Sequence, residues 1–475
     1  MHKDAKTQWW NDRSSLLRLA AAPFLFLIGF GLLPLHAQSG SVDLGFDPGT
    51  GVDLSVYGIA LQTNGQILIC GDFTSVDDVE RVNVARLNAN GSRDDSFDTG
   101  SALGGAFPSV YAMALQASGK AIIGGSFTSA VTTNLARLNT NGSLDNTFTA
   151  QADDTVNALT IQTDGSVLIG GFFTHVNGQA RSGIARLNSN GVLDGSFNPS
   201  LAGAFAAVYA LAVQNDGKII VCGSFTNVNG TQRTNIARLN SSGSLDTNFA
   251  PVSIGGGQFS LATFYSVAID AQGGVVVGGD FMSVNGLVRT NLARFNSEGS
   301  VDLTFSPAAG TDFAVNSVAL EKYGRILIAG YFETVNGASQ NYIARLNSDG
   351  SRDASFSIGS GASDVIYSVA LQGDGKVLIG GAFTEFNLTG RSGICRLLNV
   401  VTVSPPKLFN PVFSNHVFRA SVATVSGKSY LLEFKSALSN ASWSVLPSVA
   451  GDGTTKVLTD PSATDPRRFY RVEVQ

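Results

Sequence analysis

Across residues 41–399, short apolar runs alternate with clusters of Gly, Asn, Asp and Ser, and the pattern returns seven times on a period of about fifty residues. One copy reads V-N-A-L-T-I-Q-T-D-G-S-V-L-I-G-G-F-F-T over residues 156–174, then I-A-R-L-N-S-N-G-V-L-D-G-S-F over 184–197. Each copy contains four strand signals separated by turn residues. The first, Y-x-x-A-L-Q, as at residues 57–62, 111–116 and 367–372, alternates small residues along one face. The second, as at 66–69 or 218–221, ends in a small residue, Gly, one variable residue and Phe. Being apolar on both faces, it belongs in mid-sheet between neighbouring sheets. The third is I-A-R-L-N and the fourth carries S-x-D-x-x-F. No 3.6-residue periodicity competes with this reading. Four antiparallel strands repeated seven times predict an all-β fold, a seven-bladed β-propeller over residues 38–400.

The ends of the repeat region carry a further expectation. The seventh copy reaches residue 399 without an S-x-D-x-x-F segment, whereas Ser41-Val42-Asp43-Leu44-Gly45-Phe46 precedes the first copy. The N-terminal strand is therefore expected to complete the last blade and close the ring, pairing what would otherwise be a bare edge. Hairpin arithmetic adds a recurrent ion pair. With a three-residue loop such as Ser189-Asn190-Gly191, Asn188 pairs with Val192 and Arg186 falls opposite Asp194. The same spacing joins Arg86 to Asp94, Arg137 to Asp145, Arg238 to Asp246, Arg294 to Asp302 and Arg345 to Asp353, with Arg396 facing Asp43 in the closed ring. Pairs present in every copy are read as architecture, each contributing up to about 1 kcal/mol.

These residues resemble the delta-60 repeat family of bacterial β-propellers, carried by A-L-Q-x-D-G-K-x-L-I-G-G-x-F at residues 370–383 and A-R-L-N-x-x-G-S-x-D-x-x-F at 136–148. The resemblance covers all seven copies and implies a propeller without implying an activity. The S-x-D-x-x-F tail is also faintly similar to the Asp-box of sialidase propellers, but Phe replaces Trp and the Gly and Thr are missing, so that chemistry does not transfer.

Composition narrows the partners. A net charge of −5 and only 14% charged residues lack the concentrated basic surface that nucleic acid requires. Lys3, Lys6, Arg13 and Arg18 precede an apolar run over 19–35, and Leu35-His36-Ala37 ends in a small residue. Residues 1–37 are thus read as a cleaved signal peptide, which makes the protein exported (extracellular, cell-surface or periplasmic), with no membrane span in the mature chain. Of the three cysteines, Cys70 and Cys222 share one repeat position and Cys395 replaces an Ala. Buried small hydrophobes explain them, and Cys70 with Cys395 is the one pair to check for a disulfide.

Function is sought on the face that bears the loop between the second and third strands, because only this face has long, varied loops. Its recurrent element F-T-x-V-N-G-x-x-R-x-N supplies Arg81, Arg181, Arg233, Arg289 and Arg391, with Gln340 in the sixth copy; the second copy lacks it. These side chains either ring an opening and hold carboxylates or brace their own loops through carbonyls. Exceptions to the repeat are the other candidates: Asp72, Asp280 and His175, with Asp77, Asp78, Glu80, Asp153, Asp154, Glu333 and Glu385. The insert over 254–264 is the longest departure.

Catalytic signals are sparse. Beyond the leader only His175 and His416 remain, and no G-x-S-x-G, phosphate loop or EF-hand spacing is present. No cofactor or metal is expected. After residue 399 the pattern stops; Pro405-Pro406 marks a linker over 401–409, and alternating stretches over 410–475 predict a small β-sandwich with Trp443 in its core. This module is similar to C-terminal modules of large exported bacterial proteins. The sequence favours a monomeric, non-enzymatic binding or scaffold protein for an extracellular glycan or protein. A polysaccharide hydrolase or lyase using long-loop carboxylates and a purely structural surface module are the alternatives.

Overall fold

The computed structural model describes residues 38–250, 254–257, 262–399, 408–424, 429–437, 442–451, 454–464 and 468–474. The leader and most of the linker lie outside them. Contacts divide these residues into two compact units, one spanning Ala37–Val401 and one after it. No described helix is long and apolar enough to cross a membrane.

The larger unit is built on seven three-stranded antiparallel sheets, one per repeat, in which the second strand of each repeat lies between the first and third, with small hairpin sheets beside them. In the third repeat, Val167–Gly171 pairs with Val156–Ile161 on one side and Ile184–Leu187 on the other. Every residue of Val167–Gly171 is buried, as are those of Ile67–Gly71, Ile326–Gly330 and Val377–Gly381. The two-faced apolar pattern reports this position, since each middle strand packs against the sheets on both sides.

The fourth strand is shorter than the sequence predicts. It is a single bridge, Leu187 with Leu193 in the third repeat, with Asn188 N–H donating to Val192 O at 2.9 Å and Asp194 N–H to Arg186 O at 2.9 Å. Pairing stops because Asp194 Oδ1 accepts the Ser196 N–H at 2.8 Å, an Asx turn that diverts the chain and sends Phe197 into the core. S-x-D-x-x-F is therefore a turn that aims an aromatic side chain.

All seven Arg–Asp pairs form, with Nε to Oδ2 distances of 2.7–2.9 Å. They do more than the surface pairs expected from spacing. Each guanidinium lies 4.7–5.0 Å from the centre of its own repeat's Phe ring, or of Phe46 for Arg396. Nη1 then reaches the next repeat's hairpin turn: Arg86 donates to Thr140 O at 2.6 Å, Arg137 to Ser189 O at 2.7 Å and Arg294 to Ser348 O at 2.8 Å. One side chain thus joins a hairpin, an aromatic ring and the adjacent sheet.

The chain's ends meet in the same geometry. Val42 bridges Leu397, Leu398 N–H donates to Ser41 O at 2.8 Å, and Asp43 N–H donates to Arg396 O at 2.8 Å. Arg396 Nη1 reaches Ala89 O at 2.6 Å in the first repeat, whose first strand, Val56–Leu61, touches Ile366–Leu371 of the seventh. The three cysteines are free and buried. Cys70 and Cys395 lie in separate core clusters, so the pairing considered from sequence does not occur.

In the smaller unit, Phe409–Ser414, Val417–Ala423 and Thr455–Asp460 form one sheet, and Ser429–Lys435 pairs with Ser444–Val445, Val449–Ala450 and Phe469–Val474 in another. Phe418, Val422 and Leu458 from the first share a core with Tyr430, Leu432 and Tyr470 from the second. Trp443 is outside that core: it is half-buried between Lys435 Nζ, 5.0 Å from its ring centre, and the Arg471 guanidinium at 4.4 Å. Cation–π contact replaces the core role expected for it.

Candidate functional site

The V-N-G element of the long loop folds as a two-residue hairpin: His175–Val176 pairs with Gln179–Ala180 around Asn177 (φ 50°) and Gly178 (φ 74°). The positive φ values identify the primed turn that Asn-Gly favours. In the first repeat Asp77 and Asp78 occupy the turn at φ 50° and 58°. The second repeat has no such element and joins Ala121–Ser129 to Thr133–Leu138 directly. The fifth repeat's insert is described only in part, its Ile254–Gly255 pairing with Ser283–Val284.

The loop arginines are committed to these hairpins. Nη1 of Arg81, Arg181, Arg233, Arg289 and Arg391 donates in each case to the preceding residue's carbonyl, at 2.7–2.9 Å. Gln340 donates Nε2 to Ile343 O at 3.1 Å in the same place. All six are at least half-buried, so they brace loops and do not converge on an opening. His175 is exposed, with Nδ1 at 3.0 Å from Asp153 Oδ2. Burial pushes the Asp153 carboxyl upward, but donors from His175 and Thr174 outweigh it and hold the group at about 2. Asp153 fastens the hairpin's first strand through the Thr174 and His175 N–H groups, a structural use of both residues.

Asp72 and Asp280 lie elsewhere, at the variable residue that follows the second strand's Gly. This point adjoins the start of the first strand, where Asp72 N–H donates to Ser55 O at 3.3 Å. The register here slips in all seven repeats, leaving one unpaired residue each: Tyr57, Tyr111, Asn157, Tyr209, Tyr265, Asn316 and Tyr367. A β-bulge re-aims a side chain, and here it turns five Tyr toward one another from neighbouring sheets. Ring centres of Tyr57 and Tyr111 are 5.3 Å apart, Tyr57 and Tyr367 5.0 Å, and Tyr367 and Tyr331 6.1 Å. A second arc runs from Phe172 to Tyr209 at 5.7 Å and on to Tyr265 at 5.5 Å. Phe172 and Tyr331 come from the same variable position as Asp72 and Asp280.

The two carboxylates are set into this aromatic collar. Asp72 accepts from Ser55 N–H and from the Tyr57 hydroxyl, both at 2.8 Å. Burial and Asp72 together push the Tyr57 phenol well above its ordinary range, and burial with Asp280 raises Tyr265. Exposed apolar side chains precede the bulged position in the chain: Phe107 is 91% exposed, Phe205 72% and Leu54 53%. Phe205 also lines a cavity of about 170 Å³ with Ile254 and Ala262. The sequence signal for this collar is the Tyr that opens Y-x-x-A-L-Q, a large aromatic in a strand of otherwise small residues.

Family comparison agrees with the repeat count. A domain of unknown function (DUF5122) beta-propeller matches residues 62–97, 116–148, 162–197, 214–249, 273–305, 324–356 and 372–400. The chain belongs to this propeller family. No curated protein matches it. Among solved structures, it is similar to the extracellular domain of BT4673 from B. thetaiotaomicron, at 13% identity and a TM-score of 0.45, over 81% of this chain and 45% of that one. It thus spans under half the length of that neighbour. A glycoside hydrolase shares 12% identity and a TM-score of 0.26 over 92% of this chain and 97% of its own.

Proposed function

We propose that the protein is exported after cleavage of residues 1–37 and acts without catalysis, as a monomer, binding an extracellular glycan or protein at the long-loop end of a closed seven-bladed ring over 38–400. Closure is supported by the Val42–Leu397 bridge and the Asp43–Arg396 pair. The linker over 401–409 then leads to a β-sandwich over 410–475, a reading supported by the core shared between its two sheets.

The aromatic collar carries the binding assignment. Five bulged Tyr, with Phe172 and Tyr331, present ring faces at one end of the first strands, and exposed Phe107 and Phe205 extend that surface outward. Exposed aromatic clusters of this kind mark recognition surfaces rather than cores. Asp72 and Asp280 provide polar anchors within it, while the loop arginines, Gln340 and His175 hold the surrounding hairpins in place. A glycan and peptide array screened with the purified protein tests this assignment. Binding by the wild type that is lost in Tyr111→Leu and Phe107→Ser supports it; ligands held equally by the wild type and both variants would sink it.

A further inference from the structure

The collar also carries a sign. Asp72 bonds to Ser55 N–H and the Tyr57 hydroxyl, Asp154 to Thr155 N–H and Asp364 to Val365 N–H. Among the described residues, none of these three carboxylates has an ion-pair partner. The Arg side chains of this end are turned into their own loops. Tyr ring faces add the negative lobe of their quadrupoles. Anionic side chains and ring faces therefore line this end, where no cation among the described residues pairs with these three carboxylates, and an anionic ligand would be repelled.

We propose that the arc of Tyr331, Tyr367, Tyr57 and Tyr111 beside Asp72 receives the protonated tip of a lysine or arginine side chain from a partner protein. The inference rests on the reading that the long-loop end is the binding face. Rings at 42°, 66° and 77° to their neighbours form a curved wall rather than a flat stack, so that several ring surfaces approach one charge. The Asp72 carboxylate, bonded to Tyr57 within the arc, adds a formal charge to the attraction of the rings. Exposed apolar Leu54 and Phe107, which lead into the strands of Tyr57 and Tyr111, suit the alkyl stem of such a side chain. They offer few hydrogen-bonding groups to sugar hydroxyls. Of the arc's hydroxyls, Tyr57 is engaged with Asp72, and Tyr331 with Tyr367 at 3.4 Å. Charge and hydrogen-bond supply both favour a cationic protein segment over a glycan.

Calorimetric titration of the full protein with Gly-Gly-Lys-Gly-Gly, its Nε-acetyl-lysine counterpart and a glucosamine oligomer tests the assignment. The lysine peptide should bind saturably and the acetylated one about tenfold more weakly, because acetylation removes the charge that the rings and Asp72 attract. Asp72→Asn, which keeps the shape and the Tyr57 contact, should weaken the lysine peptide about tenfold without lowering the melting temperature. Tyr111→Leu should do so as well. Equal affinity for the two peptides, an unchanged affinity in Asp72→Asn, or binding of the amino sugar alone would overturn the proposal. A neutral ligand retained by wild type and lost in Tyr111→Leu would overturn the cation site while leaving the binding face intact. Failure of every probe, with no array ligand sensitive to Tyr111→Leu or Phe107→Ser, would overturn both.

Discussion

Asp43→Asn tests whether the N-terminal segment carries load in the ring. Asp43 accepts from Arg396 Nε at 2.8 Å, Lys376 Nζ at 2.9 Å and Gly45 N–H at 3.0 Å, and only 7% of the residue is exposed. Burial works to raise its carboxyl, but Lys376, the Gly45 N–H and Arg396 prevail and hold it below the ordinary range. Asparagine keeps the shape and one acceptor while removing the charge that two cations face. Breaking a buried pair costs about 3–5 kcal/mol. Lys376 is about one-third exposed and regains water, so the expected loss is nearer about 2–3 kcal/mol.

Asp145→Asn is the matched control, since Asp145 holds Arg137 at 2.8 Å and Lys120 at 2.7 Å within one continuous stretch of chain. The two substitutions should cost similar amounts in urea unfolding. Only Asp43→Asn should also open the chain's end, read as faster chymotryptic cleavage after Phe46, a side chain that is fully buried when the segment is docked. If Asp43→Asn unfolds within about 0.5 kcal/mol of wild type while Asp145→Asn loses the expected amount, the N-terminal segment does not complete the last sheet in solution.

Three further expectations follow from the same contacts. The hairpin carboxyls Asp43, Asp94, Asp145, Asp194, Asp246, Asp302 and Asp353 all lie below their ordinary values, Asp194 at about 2 under the Ser196 hydroxyl and Arg186. Depressed carboxyls stabilise the fold above the unfolded value of about 3.9, and that contribution is lost as pH falls through the folded values. The melting temperature should therefore be flat from about pH 5 to 8 and fall steadily below about pH 4; a flat profile to about pH 2 would refute this. The buried thiols should be inert, with Cys70 and Cys395 pushed up to about 12 by burial. A thiol reagent should label none in the native protein and all three in denaturant; only one labelled in denaturant without reductant would reveal a disulfide. Gly171→Ala should cost about 2–3 kcal/mol in urea unfolding, because its Cβ would sit 2.0 Å from Thr155 O. Gly170→Ala should cost less, as Cys70, Cys222 and Ala329 occupy the corresponding position in other repeats; equal losses would refute the distinction.

Much of the architecture was legible because it follows from counting. A three-residue hairpin loop places Arg186 opposite Asp194 whatever surrounds them, and the full burial of Val167–Gly171 follows from a run that is apolar on both faces. The fourth strand was overextended because the S-x-D-x-x-F residues fit a strand period, yet the Asp carboxylate captures the backbone two residues on and ends the ladder. Trp443 was misplaced because two flanking cations, distant in sequence, hold it outside the core. For the loop arginines, spacing leaves open whether they ring an opening or brace their loops, and only three dimensions reveal that each reaches back to the preceding carbonyl.

The collar was missed for a more general reason. A residue present in every repeat is explained by shared architecture only if each copy acts on its own neighbours alone, as Asp194 does with Arg186 and the Ser196 N–H. Repeats arranged around an axis break that condition for one class of position. Side chains at the ends of the innermost strands meet their counterparts from other repeats, so a repeated Tyr becomes a contiguous surface that no single copy contains. Tyr57, touching Tyr111 on one side and Tyr367 on the other, is such a residue. Asp72 and Asp280 then gain meaning from their place in that surface, where they break its symmetry and give two repeats a charge that the others lack at that position. In a repeat protein of this kind, exceptions identify function most sharply when they fall on a repeated surface that converges.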